Sequence, residues 1–265
     1  MKEEVYRRIV EQISRYKIGK FCPYFDEPLL DPNIFERIEH ALSRLDFQIL
    51  ELATNASLLS GALLDDLVRI FSGVPNEIWL SFHGIDKVSH ESIMGLDYAT
   101  CLENIHALIA RAQSQNLNLV IRGSGAPRVA GMNLPVWFTE EQFKAFWQEE
   151  FSRRGYRRVP RIDYFTYHDR AGAISRNEVN FSVIRESLDD FYCPRIDQWA
   201  HFLYTGETTL CCMDYHHGFV FGDITKRTIE EIYKSDEYFN LAQMVTGKCD
   251  SSADFICKRC VSPGG

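Results

Sequence analysis

The C-terminal cysteines constrain this chain more than any other feature: six of its eight cysteines fall from Cys193 onward. Gly206 lies thirteen positions after Cys193, and Cys211 lies five after Gly206. A glycine placed there can take the positive φ of a tight turn, so the spacing predicts a hairpin that returns Cys193 and Cys211 to one end of two paired strands. Downstream, Cys257 and Cys260 are separated by two residues, a spacing that lets both thiolates reach one metal centre. Four thiolates satisfy either a tetrahedral zinc or a [4Fe–4S] cluster. Cys193, Cys211, Cys257 and Cys260 are therefore the expected ligands, with Cys249 as an alternative. Cys101, on a helix, reads as a buried free thiol. Cys212 reads as a packed neighbour, because adjacent strand residues point to opposite faces.

The rest of the sequence supports a metal reading over a disulfide one. The opening MKEEVYRRIVEQI carries acids from its third residue and has no continuous apolar stretch, so it reads as neither a secretory signal nor a membrane anchor. A reducing, cytoplasmic setting is the expectation, and clustered cysteines there bind metal or do chemistry. With 265 residues, 45% of them hydrophobic, the chain can bury one full core and a smaller second one. The net charge of −8 argues against a sequence-independent nucleic-acid binder. A peptide or small-molecule substrate is expected, with no nucleic acid and no membrane.

Ahead of the cysteines the pattern alternates between periods. Residues 1–17 have a helical period, with Val5, Ile9, Val10 and Ile13 on one side. Strands are predicted at 47–53, 77–83, 117–122 and 161–167. Helices are predicted through Leu63–Phe71, over 98–113, and over 140–154, where Thr139 and Gln142 form a capping box. Strands alternating with helices imply a parallel sheet whose ligand site lies beyond the strand C-terminal ends. The rhythm stops around residues 168–192, which places a barrel-like domain at 1–185 and a cysteine-rich one at 186–265.

Cys-x12-Gly-x4-Cys, then CCMD, then GDITKRTIEEIYKSDEYFNL and a closing Cys-x2-Cys resemble the SPASM or twitch domain of radical S-adenosylmethionine enzymes. In that family the domain binds auxiliary [4Fe–4S] clusters, so the resemblance implies iron over zinc. The full pattern has seven cysteines for two clusters. The dense middle run is missing here, and one auxiliary cluster is expected. His216 and His217, just after CCMD, read as loop residues.

The resemblance extends toward the N-terminus. Asp26–Glu27–Pro28–Leu29–Leu30 is similar to the family's motif after the second barrel strand, where backbone and acid receive the methionine amino group. Thr54–Asn55 is similar to the motif ending the third strand, and Ser81–Phe82–His83–Gly84 to the one ending the fourth. Arg122 matches the basic residue that clamps the cofactor carboxylate. The implied S-adenosylmethionine contacts are thus Asp26, Glu27, Thr54, Asn55, Ser81 and Arg122. His83 is open to a substrate-facing or a structural role, and no residue is assigned to catalysis. The implied fold is α/β: a partial (βα)6 TIM-like barrel lacking its first strand, followed by a small cysteine-rich β-hairpin and helix domain. A flavodoxin or ferredoxin is the implied electron donor.

One family feature is missing. Radical chemistry requires Cys-x3-Cys-x2-Cys after the first strand, and this sequence has none. Residues 1–17 match the helix that follows that loop, so the expectation is that the reading frame continues upstream of Met1 into the motif. A second [4Fe–4S] cluster depends on it, and the chain as given should not cleave S-adenosylmethionine. The alternatives are a non-catalytic fold relative serving as a binding or carrier partner, and a zinc-stabilised α/β protein.

Overall fold

The structure, a computed structural model, describes residues 1–23, 26–125, 138–166, 170–173 and 185–260. In order it has α1 (Glu3–Ile13), β1 (Lys17–Phe21), α2 (Ile34–Leu42), β2 (Asp46–Thr54), α3 (Gly61–Phe71), β3 (Asn76–Ser81), α4 (Lys87–Met94) and α5 (Tyr98–Ala112). These are followed by β4 (Leu119–Gly125), α6 (Glu140–Arg154), β5 (Arg161–Thr166), α7 (Arg195–Gln198), β6 (His201–Phe202), β7 (Glu207–Thr209), β8 (Val220–Asp223), α8 (Ile229–Tyr233), α9 (Asp236–Val245) and α10 (Ile256–Arg259). Packing divides them into two compact units, Lys17–Tyr167 and Met1–Tyr16 with His168–Gly265.

In the first unit β1 to β5 form one parallel sheet in sequence order. This is the α/β, partial-barrel architecture expected, with helices supplied by the crossovers that parallel pairing demands. Burial alternates along β2 and β3. Leu50, Leu52, Ile78, Leu80 and Ile121 point to one face and are essentially inaccessible to solvent. They meet the apolar stripes of the crossover helices: Leu67 and Phe71 of α3, Ile105 and Ile109 of α5, Phe143 and Trp147 of α6. The intervening residues Glu51, Ala53, Glu77, Trp79 and Ser81 line the other face and are only half-buried. Helix ends are set locally. The Thr139–Gln142 capping box starts α6 as expected, and Gly155, at φ +65, ends it.

The second unit holds a three-stranded antiparallel sheet, β6-β7-β8, flanked by short helices. Gly206 takes φ +98 in the turn between β6 and β7, as its position required. The hairpin is shorter than expected. Its pairing runs only from His201↔Thr209 to Phe202↔Thr208, and Cys193 sits ahead of α7 rather than on a paired strand.

The expected domains, 1–185 and 186–265, do not coincide with these units. The predicted helix 1–17 ends at Ile13, and Lys17 already begins β1. More importantly, α1 belongs to the second unit: Val5 and Ile9 join its core, Arg8 Nε donates to the Ile224 carbonyl, and Ile229 N donates to Gln12 Oε1 at 3.4 Å. An amphipathic stripe shows that a helix needs a partner, not which one. Tyr167, the last residue of the strand predicted at 161–167, lies outside the described residues.

Candidate functional site

The expected cofactor contacts of the first unit gather at the C-terminal ends of its strands. Glu27, in the loop after β1, caps the 3-10 turn Pro28–Leu30 by accepting from Leu29 N at 3.2 Å. The same oxygen accepts from the Thr54 hydroxyl at 2.7 Å, and the other accepts from Asn55 N at 2.7 Å. One carboxylate thus ties the first loop to the end of β2. An ionised carboxylate has about four acceptor positions, so three filled ones leave room for about one further donor. Asn55 Oδ1 accepts from Ser57 N at 2.9 Å, while Asp26 is exposed. Ser81 ends β3 and is in register with Arg122 on β4.

Arg122 is held by groups that sequence reasoning did not single out. Its Nε donates to Asp163 Oδ2 on β5 at 2.6 Å, and its guanidinium lies 3.8 Å from the centroid of the Trp79 ring. These residues belong to the half-buried face of the sheet, which carries a ladder of charges rather than an apolar lining. Lys20 reaches Glu51 at 2.6 Å and Glu77 at 3.1 Å, Arg161 reaches Glu77 at 3.0 Å, and the Trp79 indole donates to both glutamates. Burial alone would raise the Glu77 carboxyl, but the Lys20 hydrogen bond and the charges of Lys20 and Arg161 hold it below its usual range. The period-2 alternation could have revealed these residues, since charges recur on one face of every strand; their pairing depends on register between distant segments.

Higher on the same face, Ser124 Oγ and His83 Nδ1 are 3.0 Å apart. Burial, then the neighbouring His90 and Arg122, lower His83 to about 4, so its imidazole is neutral at ordinary pH. Gly84, next in the chain, is tightly enclosed: a Cβ there would lie 2.6 Å from His90 Cα. Cys22 lies just after β1 and is exposed. Cys101 is buried on α5 in the apolar core and is raised to about 11, chiefly by burial. A depression lined by Leu117, Leu119, Val159 and Pro160 lies at the opposite, N-terminal ends of β4 and β5, away from every candidate residue.

The second unit brings its cysteines together. Cys211, Cys257 and Cys260 are buried in its core, and Cys193 packs against that core. The Cys257 thiol is pushed upward first by burial and then by the proximity of Cys211, Cys260 and Cys193 in turn, so one sulfur senses the other three. Cys211 rises to about 12, mainly by burial, although Met213 N donates to its sulfur at 3.4 Å. Asp214, the acid of CCMD, fixes this turn by accepting from Thr209 Oγ1 at 2.9 Å, Gly218 N at 2.8 Å and Phe219 N at 2.8 Å. Cys212 is half-buried beside this core, Cys249 is exposed, and His216 and His217 lie in the loop that Asp214 closes.

Among the described residues no three His, Cys, Asp or Glu side chains stand close enough to hold a single metal ion. Thiolates around one zinc, bonded at about 2.3 Å, must lie within about 4 Å of one another. A four-iron cube receives each thiolate on a different iron, so its ligands stand further apart. The Cys257 sulfur lies near those of Cys211, Cys260 and Cys193, and the donor set is soft and all-sulfur.

A family model, the SPASM iron–sulfur cluster-binding domain, matches residues 193–261. Among solved structures, BtrN in complex with AdoMet and 2-DOIA superposes with a TM-score of 0.56 at 16% identity, covering 99% of this chain and 80% of that one. Native anSMEcpe with bound AdoMet gives 0.53 at 15% identity, covering 91% and 73%. SuiB of Streptococcus suis bound to S-adenosylmethionine gives 0.55 at 12%, covering 97% and 64%. At these identities what is shared is the fold. No curated protein sequence matches the chain. No helix among the described residues is long and apolar enough to cross a membrane.

Proposed function

We propose that this chain, whose residues 193–261 are a SPASM iron–sulfur cluster-binding domain on the fold shared by radical S-adenosylmethionine enzymes, carries one auxiliary [4Fe–4S] cluster and part of a cradle for S-adenosylmethionine. The observation that carries this reading is the gathering of Cys193, Cys211, Cys257 and Cys260 at one core inside the matched segment. Cys193, Cys211, Cys257 and Cys260 would hold the cluster, which supplies one-electron redox chemistry when bound. Burial keeps the Cys211 and Cys257 thiols protonated, so loading must displace protons and grows easier as pH rises. Asp214 and the Met213 amide keep the Cys211 sulfur aimed at its neighbours.

In the first unit, Glu27 has one acceptor position to offer an ammonium group, beside Asp26, Thr54 and Asn55. Arg122, steadied by Asp163 and Trp79, offers its remaining N–H donors to a carboxylate in a geometry suited to two parallel bonds. Ser81, across from Arg122, offers a hydroxyl to the same ligand. The neutral His83 and Ser124 face the side where a peptide or small-molecule substrate would lie. The 265 residues contain no Cys-x3-Cys-x2-Cys, and Cys22 and Cys101 are the first unit's only cysteines. Reductive cleavage of S-adenosylmethionine therefore requires that motif from outside them, together with an electron donor such as a flavodoxin or ferredoxin.

Anaerobic reconstitution with iron and sulfide tests the reading. The expected product is brown, with about four iron and four sulfide per chain. A colourless protein holding stoichiometric zinc after the same treatment would overturn it. S-adenosylmethionine binding, followed by calorimetry, should be weak and should weaken further in Arg122→Ala. Dithionite should yield no 5′-deoxyadenosine from this chain.

A further inference from the structure

Two cations act on the thiols, Arg195 on Cys211 and Arg185 on Cys257, and Arg185 is bonded to the Cys-x2-Cys turn itself. Arg185 Nη1 donates to the Cys260 carbonyl at 2.5 Å and to the Cys257 carbonyl at 3.5 Å. Its own backbone N–H donates to the Lys258 carbonyl at 2.8 Å, so the Cys-x2-Cys turn is gripped along its length. The guanidinium also lies 5.0 Å from the Phe191 ring centroid, which fixes its plane. Its charge acts on the Cys257 sulfur in the direction that favours the thiolate. No sequence motif marks Arg185, which sits eight residues ahead of Cys193.

We propose that Arg185 is a positioning residue that raises the reduction potential of the cluster held by Cys193, Cys211, Cys257 and Cys260. The inference rests on the cluster reading above. One-electron reduction, with dithionite as donor, adds one negative charge to an already anionic group of four thiolates and a cube. A fixed cation beside that group stabilises the reduced form more than the oxidised one, and the half-buried setting limits its screening by water. The carbonyl bonds serve a second purpose: they hold the guanidinium still, so the stabilisation needs no rearrangement when the electron arrives.

The test compares wild type, Arg185→Lys and Arg185→Gln, each reconstituted anaerobically and titrated potentiometrically, with the reduced cluster followed by electron paramagnetic resonance. Arg185→Gln, with iron content near wild type, should lower the reduction equilibrium constant about tenfold, equivalent to about 59 mV for one electron. Arg185→Lys should stay near wild type, because the charge remains. An unchanged potential in a fully loaded Arg185→Gln protein would overturn the proposal. If Arg185→Gln holds no iron, the lysine variant decides: full iron at a near-wild-type potential supports the role of the charge, whereas loss of iron there as well overturns it in favour of the carbonyl contacts alone. A wild-type chain that takes up no iron would sink the cluster reading instead, so the two failures are distinguishable.

Discussion

The two units bury the same residue type to opposite ends. In the Lys17–Tyr167 unit, Cys101 sits among Leu102, Ile105 and the sheet, and behaves as one more small apolar group. In the other unit, Cys211, Cys257 and Cys260 occupy a core shared with Leu188, Ile196 and Phe255, with Cys193 at its edge. A single buried thiol fills space; in the second core the Cys257 sulfur lies near those of Cys211, Cys260 and Cys193. The first core is closed by packing of its own sheet and helices. The second is smaller and rests on strands of two to four residues; on the proposed function it gains stability from what the thiols bind.

The largest effect that would sharpen this contrast is expected from Cys257→Ala. Bound iron should fall close to zero and the segment beyond residue 185 should become protease-sensitive, while fragments from the Lys17–Tyr167 unit persist. Limited proteolysis read by mass spectrometry checks it. If the iron-free variant resists cleavage as well as wild type, the second core closes by packing too, and the contrast breaks.

Trp147→Ala addresses the other side. Trp147 is fully buried against Phe82 and Phe151, and truncating it should destabilise the first unit by about 3–5 kcal/mol in urea titrations. Iron uptake should be spared, because the cavity opens in a core that holds no ligand. Loss of iron in proportion to the loss of stability would mean that the two cores do not fold independently.

Glu27→Ala should have a smaller effect, about 1.5–3 kcal/mol, from the lost hydrogen bonds of Thr54, Asn55 and Leu29 to a charged acceptor. An unchanged denaturation midpoint would mean that the carboxylate contributes nothing to the apo fold and is kept for a ligand.

The smallest effect is a pH dependence that both units share. Burial, chiefly, holds His83 and His201 at about 4, and His90 below its usual value with both ring nitrogens buried and without a hydrogen-bond partner. The folded state keeps these rings neutral, whereas the unfolded chain protonates them below about 6.5. Their contribution is therefore complete above about pH 6.5 and lost as pH falls toward 4. Denaturation midpoints measured between pH 7.5 and 4.5 should fall; flat midpoints would mean that the rings are solvated.

What was legible in the sequence is what local periodicity encodes. Strands β2 to β5 and the capped start of α6 follow from alternation and capping that neighbouring residues decide. That Cys193, Cys211, Cys257 and Cys260 come together in one core was legible in their spacing. Strand β1 and helices α2 and α4 were not marked by pattern: Lys17–Phe21 lies at a sheet edge, where exposure blurs alternation, and α4 buries little beyond Ser89 and His90. The Arg122–Asp163 pair and the Lys20–Glu51–Glu77–Arg161 ladder join residues tens of positions apart, and only strand register pairs them. Arg185 was invisible for the same reason, since its partners are carbonyls, which every residue has.

That α1 packs with residues beyond 168 gives the chain a history as well as a shape. Arg8 and its carbonyl partner on Ile224 are 216 residues apart. During synthesis at about 5–20 residues per second, α1 must wait roughly 10–40 s for its partner to be made. The Lys17–Tyr167 segment, rich in contacts between successive strands, can collapse in that interval and bring the chain's first residues nearer to its last, shortening the loop that remains to be closed. Until that partner emerges, Val5 and Ile9 of the amphipathic helix lack the core that buries them in the folded chain.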